Sequence, residues 1–187
     1  FSPPRLLTEA SMRRSKQDAE KTRLKVIDAA LTLFSRNGYS NTTLAMIAAE
    51  AGYSRGPIYW HFKNKDDLYQ AVLAMSQEPL DHLVTELEGN QAGPLQAIER
   101  FIRRWLGLLV EDAWFRQSFE ILLNKTELTE QMVPTLERER SLTLSIVDAL
   151  SACFAKAQQS GLIPTGDSPR SLALLVYSQL MGVTQSW

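Results

Sequence analysis

Residues 42–65 read TTLAMIAAEAGYSRGPIYWHFKNK, and the layout is two short helices joined by a glycine turn. Thr42 or Thr43 can cap the first helix by accepting a backbone N–H that would otherwise lack a partner. Leu44, Ile47, Ala48 and Ala51 then recur at helical spacing on one face. Gly52 follows where the helix must end in a left-handed residue, a conformation glycine adopts without steric cost. Ser54 is the next N-cap, and Pro57 falls in the first turn, where a missing N–H costs nothing. Ile58 and Phe62, four residues apart, point inward. Arg55, Gly56, Pro57, Tyr59, Trp60 and His61 are left largely outward.

Two packed helices with an aromatic surface would also fit this pattern, but a Tyr-Trp-His run followed by Lys63 and Lys65 is costly to leave uncovered in water. Phosphates suit it, through tyrosine, histidine and lysine donors beside a helix N-terminus. Charge supports the same reading. The whole chain of 187 residues carries a net charge of only −1. Residues 1–65, however, hold 11 Lys and Arg against 5 Asp and Glu, leaving 9 against 16 for residues 66–187. A basic head on an acidic body is the asymmetry expected of a nucleic-acid-binding protein.

AxxAGYSRGPIYWHFKNKDDL resembles the DNA-binding signature of the TetR family of bacterial transcriptional regulators, with a dense match from Thr22 to Leu68. Pro57 departs from it, standing where the efflux-repressor branch usually carries alanine. The resemblance implies an all-α chain. A three-helix helix-turn-helix head spans residues 13–67, with its core at 43–62. A larger ligand-binding and dimerisation body spans 68–187, making about nine helices in all. Residues 1–12 are set apart as an upstream extension: Met12 reads like a native start, and FSPPRLLTEAS does not follow the downstream periodicity. At the other end the pattern stops at Trp187 without a cap, so a longer native chain is expected.

Along the chain, Arg13, Arg14, Lys16, Lys21 and Arg23 form a basic arm, read equally well as a solvated tail or as a phosphate and minor-groove contact. The first helix is expected from about Gln17 to Arg36 with Leu24, Ile27, Leu31 and Phe34 buried, ended by Asn37-Gly38. A further helix opens at Asp66-Asp67 and should kink or break near Pro79. Leu95, Ile98, Ile102, Trp105 and Leu109 make an inward face on the next. Glu111-Asp112 starts another helical stretch, and a long helix runs from near Pro134 to about Ser160. The last segment, SPRSLALLVYSQLMGVTQSW, is apolar nearly all round, so its own core should cover one side and a partner subunit the other.

Enzymatic constellations are not found. The sequence holds no GxxxxGK[ST], GxGxxG, HExxH or GxSxG. Its two histidines, His61 and His82, lie far apart, and the single cysteine, Cys153, reads as a small core residue. Glu111-Asp112 and the Glu137/Glu139 pair read as a helix start and a solvated face. No metal site or cofactor is expected. No apolar run reaches the roughly 18–20 residues of a spanning helix, so a cytoplasmic, non-membrane protein is expected.

The resemblance to the AcrR-like repressors, carried in the body by GPLQAIERFIRRWL, RQSFEILLNKTELTEQM and SLALLVYSQLMG, implies a homodimeric repressor of a multidrug efflux pump. The two heads would lie roughly 34–36 Å apart on a pseudo-palindromic operator of double-stranded DNA. Ala45, Arg55, Gly56 and Pro57 would face bases, while Thr43, Tyr59, Trp60, His61 and Lys65 would hold phosphates. An apolar cavity for a hydrophobic or amphiphilic inducer is implied among Gln77, His82, Ile98, Ile102, Trp105, Leu109, Phe115, Phe119, Leu122 and Met132. For each aromatic taken alone, plain core packing explains as much. The subunit interface is expected at Leu150, Leu172, Leu175, Val176, Gln179, Leu180 and Val183. A regulator of a metabolic or signalling operon is the alternative within the family. The rival outside it is a helical scaffold that binds no DNA.

Overall fold

The computed structural model describes residues 9–89, 93–122 and 133–186, without the side chains of 9–15 and Ser76. Among the described residues the chain is all-α. Its eight helices are α1 Glu9–Asn37, α2 Leu44–Glu50, α3 Arg55–His61, α4 Lys65–Glu88, α5 Pro94–Glu111, α6 Ala113–Glu120, α7 Val133–Gln159 and α8 Pro169–Ser186.

Capping chemistry sets most of the boundaries. Thr43 rather than Thr42 caps α2, its hydroxyl accepting from Met46 N at 3.2 Å. Thr42 is buried instead and donates to Gly38 O at 2.8 Å, pinning the α1–α2 turn. Gly38 and Gly52 end α1 and α2 at φ of +77° and +74°, where a Cβ would be strained. Ser54 sits at the N-cap of α3 but makes no side-chain cap bond. Asn64 caps α4 by accepting from Asp67 N at 2.8 Å, and Asp112 caps α6 through Trp114 N and Phe115 N.

Two hydrophobic clusters result. The head cluster joins Val26, Ile27, Ala30, Leu31 and Phe34 of α1 to Ile47, Ile58, Phe62 and the first turns of α4, Leu68 to Leu73. The body cluster gathers α4 from Leu80 onward, α5, α6, α7 and α8 around Trp105. α4 runs through both. α6 also serves both: Phe115 and Phe119 enter the body core, whereas Ile121, at its end, is wholly buried in the head core. Trp114 Nε1 donates to Asp28 Oδ1 at 3.3 Å, tying α6 to α1 from the same side.

Three expectations are corrected. α4 is not broken at Pro79 but continues through it as one helix, with packed residues on either side, Val72 and Leu73 before and Leu80 and Leu83 after. Leu24 is exposed, pointing away from the head, while its neighbour Arg23 lies over the Phe62 ring at 5.7 Å. α1 begins at Glu9, inside the stretch set apart from the fold. Residues 123–132, where Met132 and the end of the sixth helical stretch were expected, lie outside the described residues.

Candidate nucleic-acid interface and effector cavity

α3 carries the exposed face. Ile58 anchors its inner side with no exposure, and Phe62 closes it at the C-cap. That registration drives the other side outward. Trp60 is 88% exposed and Tyr59 57% exposed, with Arg55 and Gly56 also exposed and Pro57 and His61 half-covered. An indole that open to water is unfavourable unless something else covers it. Thr43 is exposed and Ala45 half-buried on the neighbouring α2. The nine interface residues therefore fall on two adjacent helices and the start of a third. Lys65 is the least free of them: its ammonium lies 4.1 Å from the centre of the Tyr39 ring and donates to Tyr39 O at 2.9 Å. Tyr39 is held in turn by Asp66 and by ring contacts with Phe34 and Tyr69.

A second site lies inside the body. Gln77, Trp105, Phe119 and Leu122 border a void together with Glu139, Thr143 and Tyr177. Its volume, about 10 Å³, is that of a single water. The walls mix aromatic faces with polar groups. Trp105 is edge-on to Tyr177 at 6.3 Å, and Tyr177 shares a 2.8 Å hydrogen bond with Thr143. Gln77 is 3% exposed, and neither its Nε2 nor its Oε1 has a hydrogen-bond partner. Glu139 is half-buried, and loss of solvent raises its carboxyl above the ordinary value. Burial likewise raises the Tyr177 hydroxyl, with Thr143 opposing and Glu139 adding to the shift.

The region from residue 26 to 72 matches the model of the tetR family of bacterial regulatory proteins, and 93–187 matches the C-terminal region of MAATS-type transcriptional repressors. The chain belongs to the TetR family. It is 34% identical to the HTH-type transcriptional regulator TtgR of Pseudomonas putida over 177 residues, 94% of this chain and 84% of that one. Identity to the HTH-type transcriptional regulator AcrR of Shigella flexneri is 31% over 176 residues, 94% and 82% of the two chains. The crystal structure of NalD, the secondary repressor of the MexAB-OprM multidrug efflux pump in Pseudomonas aeruginosa, superposes with a TM-score of 0.75 at 28% identity, covering 91% of this chain and 85% of that one.

Of the residues expected around an effector, the void gathers Gln77, Trp105, Phe119 and Leu122 and leaves the other described ones elsewhere. Ile98, Leu109 and Phe115 are packed in the body core, with Ile102 against it, and none of them borders the void, which α5 reaches only through Trp105. His82 is exposed on an outer groove beside Glu86, Arg103 and Arg104; the α4 turns that bury Leu80, Leu83, Val84 and Leu87 rotate it outward. Glu139, Thr143 and Tyr177 also border the void and were not among the expected pocket residues. Glu139 was read as a solvated face, and the signal that would have found it is its register on α7, three and seven residues before the buried Leu142 and Ile146.

The interface set also divides. Leu150 and Leu180 are buried in the body's own core, Leu150 beside Ile146 and Val147 on the inner stripe of α7 and Leu180 with Ala173 on α8. Neither is available to a partner. Leu175, Gln179 and Val183 are exposed, with Leu172 and Val176 half-covered.

Proposed function

We propose that the chain is a homodimeric, ligand-responsive repressor that binds a pseudo-palindromic operator and controls a multidrug efflux pump. The exposed aromatic and basic face of α3, carried on a head with an excess of positive charge, is the observation that supports it. In this reading residues 13–67 form the DNA-binding head and 68–187 the effector-binding and dimerisation body, working in the cytoplasm. The similarity to NalD, a repressor of an efflux pump, favours that class of target.

Coupling follows from the packing. A void of about 10 Å³ admits no drug-sized molecule, so an occupant must part the helices around it. Gln77 lies on α4, which continues without a break to Lys65 at the head, and Leu122 follows Ile121, which sits in the head core. Opening the body therefore displaces two elements the head is built on. For this to release DNA the ligand must bind the displaced state better than the operator-competent one, since equal affinity shifts nothing.

The test is titration of duplex fragments from around the chain's own gene, with and without a panel of hydrophobic drugs. Affinity should fall by about a hundredfold or more between roughly 50 and 200 mM salt as phosphate contacts release counterions. Absence of binding at low salt would sink the repressor reading and favour a scaffold. Arg55, the interface side chain able to pair bidentately with guanine, gives a finer check: Arg55→Ala should lose about 1–3 kcal/mol, concentrated at one base pair. Equal loss on every sequence would reduce Arg55 to a phosphate contact.

A further inference from the structure

The side chains that cap helices in this chain accept from the third residue of the helix they open. Thr43 accepts from Met46 N at 3.2 Å, Asn64 from Asp67 N at 2.8 Å and Asp112 from Phe115 N at 3.0 Å. Ser168, ahead of α8, accepts from Ser171 N at 3.0 Å. In α3 the third residue is Pro57, which has no N–H to offer. Ser54 holds the N-cap place with the extended backbone of a cap, φ −73° and ψ 170°, yet its hydroxyl makes no cap bond. The helix loses nothing by this, because the N–H groups of a first turn have no partner inside the helix. The effect falls on the serine. Its hydroxyl, one donor with two acceptor sites, is left uncommitted on an exposed residue. Arg55 and Gly56 beside it are also exposed, and a Cβ on Gly56 would meet nothing within 4 Å, so a base pair can approach this end of α3 closely. The N-terminal residues of a recognition helix are the ones that meet base edges, where serine can either donate or accept.

We propose that Pro57 releases the Ser54 hydroxyl from capping, and that Ser54 thereby reads a base edge next to the pair read by Arg55. The two residues set operator preference as a unit: the proline contributes by what it lacks, and the serine makes the contact. This rests on the repressor reading above and adds a specificity position to it.

The experiment uses the full chain with Ser54→Ala, Pro57→Ala and the double variant. Fluorescence anisotropy measures affinity for the operator fragment and for fragments changed at each base pair of a half-site, and a thermal melt accompanies each protein. In the wild-type background Ser54→Ala should weaken operator binding about fivefold, the worth of one hydrogen bond, with the loss concentrated at one base pair. Its melting temperature should stay within about 1 °C of the wild type, since no cap is lost. With an N–H restored at position 57 the serine becomes a cap. There the same change should cost less than about twofold in operator affinity and lower the melting temperature by about 2–4 °C. Unchanged operator affinity in Ser54→Ala, an equal loss in both backgrounds, or a loss spread evenly over all sequences overturns the assignment and leaves the repressor reading standing. So does a fall of about 2–4 °C in the melt of Ser54→Ala alone, which would show the serine already capping. If Pro57→Ala fails to fold, the base-pair profile and melt of Ser54→Ala still decide. A wild-type chain that binds no duplex fails the repressor reading itself.

Discussion

Leu175→Glu should convert dimers to monomers and lower operator affinity by two orders of magnitude or more, about what is lost when two linked half-site contacts become independent. Leu172, Leu175, Gln179 and Val183 follow one another at intervals of three and four along α8, so they share a face. Leu175 is 59% exposed on that face, with Val183 at 39%. A single subunit gains little by keeping such a stripe in water, whereas a second copy would bury it against itself. Glutamate at its centre would set two carboxylates, one from each copy, in an apolar interface. The isolated fold should hardly notice, because exposed substitutions of this kind usually fall within about 0.5 kcal/mol. Sedimentation velocity checks the assembly state, and a thermal melt at low concentration checks the fold. A variant that still sediments as a dimer would place the interface elsewhere. Leu180→Glu makes the contrast, since Leu180 is buried in its own subunit and the same charge there should unfold the body.

The helix-turn-helix was legible because local rules alone determine it. The Gly52 turn, the Thr43 cap and the four-residue spacing of Ile58 and Phe62 each act within a few residues, and together they leave one face of α3 outward. Lys65 shows where that reasoning stops. Its type and place suit a phosphate contact, but the ring and carbonyl of Tyr39, 26 residues away, already engage its ammonium. Ile121 stops it again: nothing in AWFRQSFEILL says that this side chain belongs to the head's core rather than the body's. Periodicity marked Ile98, Trp105 and Leu109 as inward, and inward they are. It could not say which of them meet another helix and which meet a void, because that depends on how far apart the helices stand. Glu139 was lost to a composition habit, a carboxylate in a charge-rich helix reading as solvated. The break expected at Pro79 did not occur, with buried residues packed on both sides of it.

Trp105→Ala should be the most destabilising single truncation in the body. Trp105 has no exposed surface. Its ring contacts Phe101, Phe115, Phe119 and Tyr177 at centroid distances of 5.8 to 6.4 Å. Its Nε1 donates to Thr184 Oγ1 at 3.0 Å, and Thr184 passes a 2.8 Å bond on to Leu180 O, so the indole also fixes the end of α8. Truncating a tryptophan in such a site costs about 3–5 kcal/mol, lost apolar transfer plus the cavity left behind. For a chain of this size that corresponds to a fall in melting temperature of roughly 6–20 °C. The cavity makes the prediction sharper than a stability loss. It would be walled largely by Phe101, Phe115, Phe119 and Tyr177, with Thr184 Oγ1 left to accept an indole N–H, and cavities of that kind accept small aromatic molecules. Added indole should therefore raise the melting temperature of Trp105→Ala and leave the wild type unmoved. Should the variant melt within about 1 °C of the wild type, Trp105 does not hold the body together. Should indole fail to rescue it, the helices have collapsed into the space, and the walls that an effector is meant to push apart are softer than their packing implies.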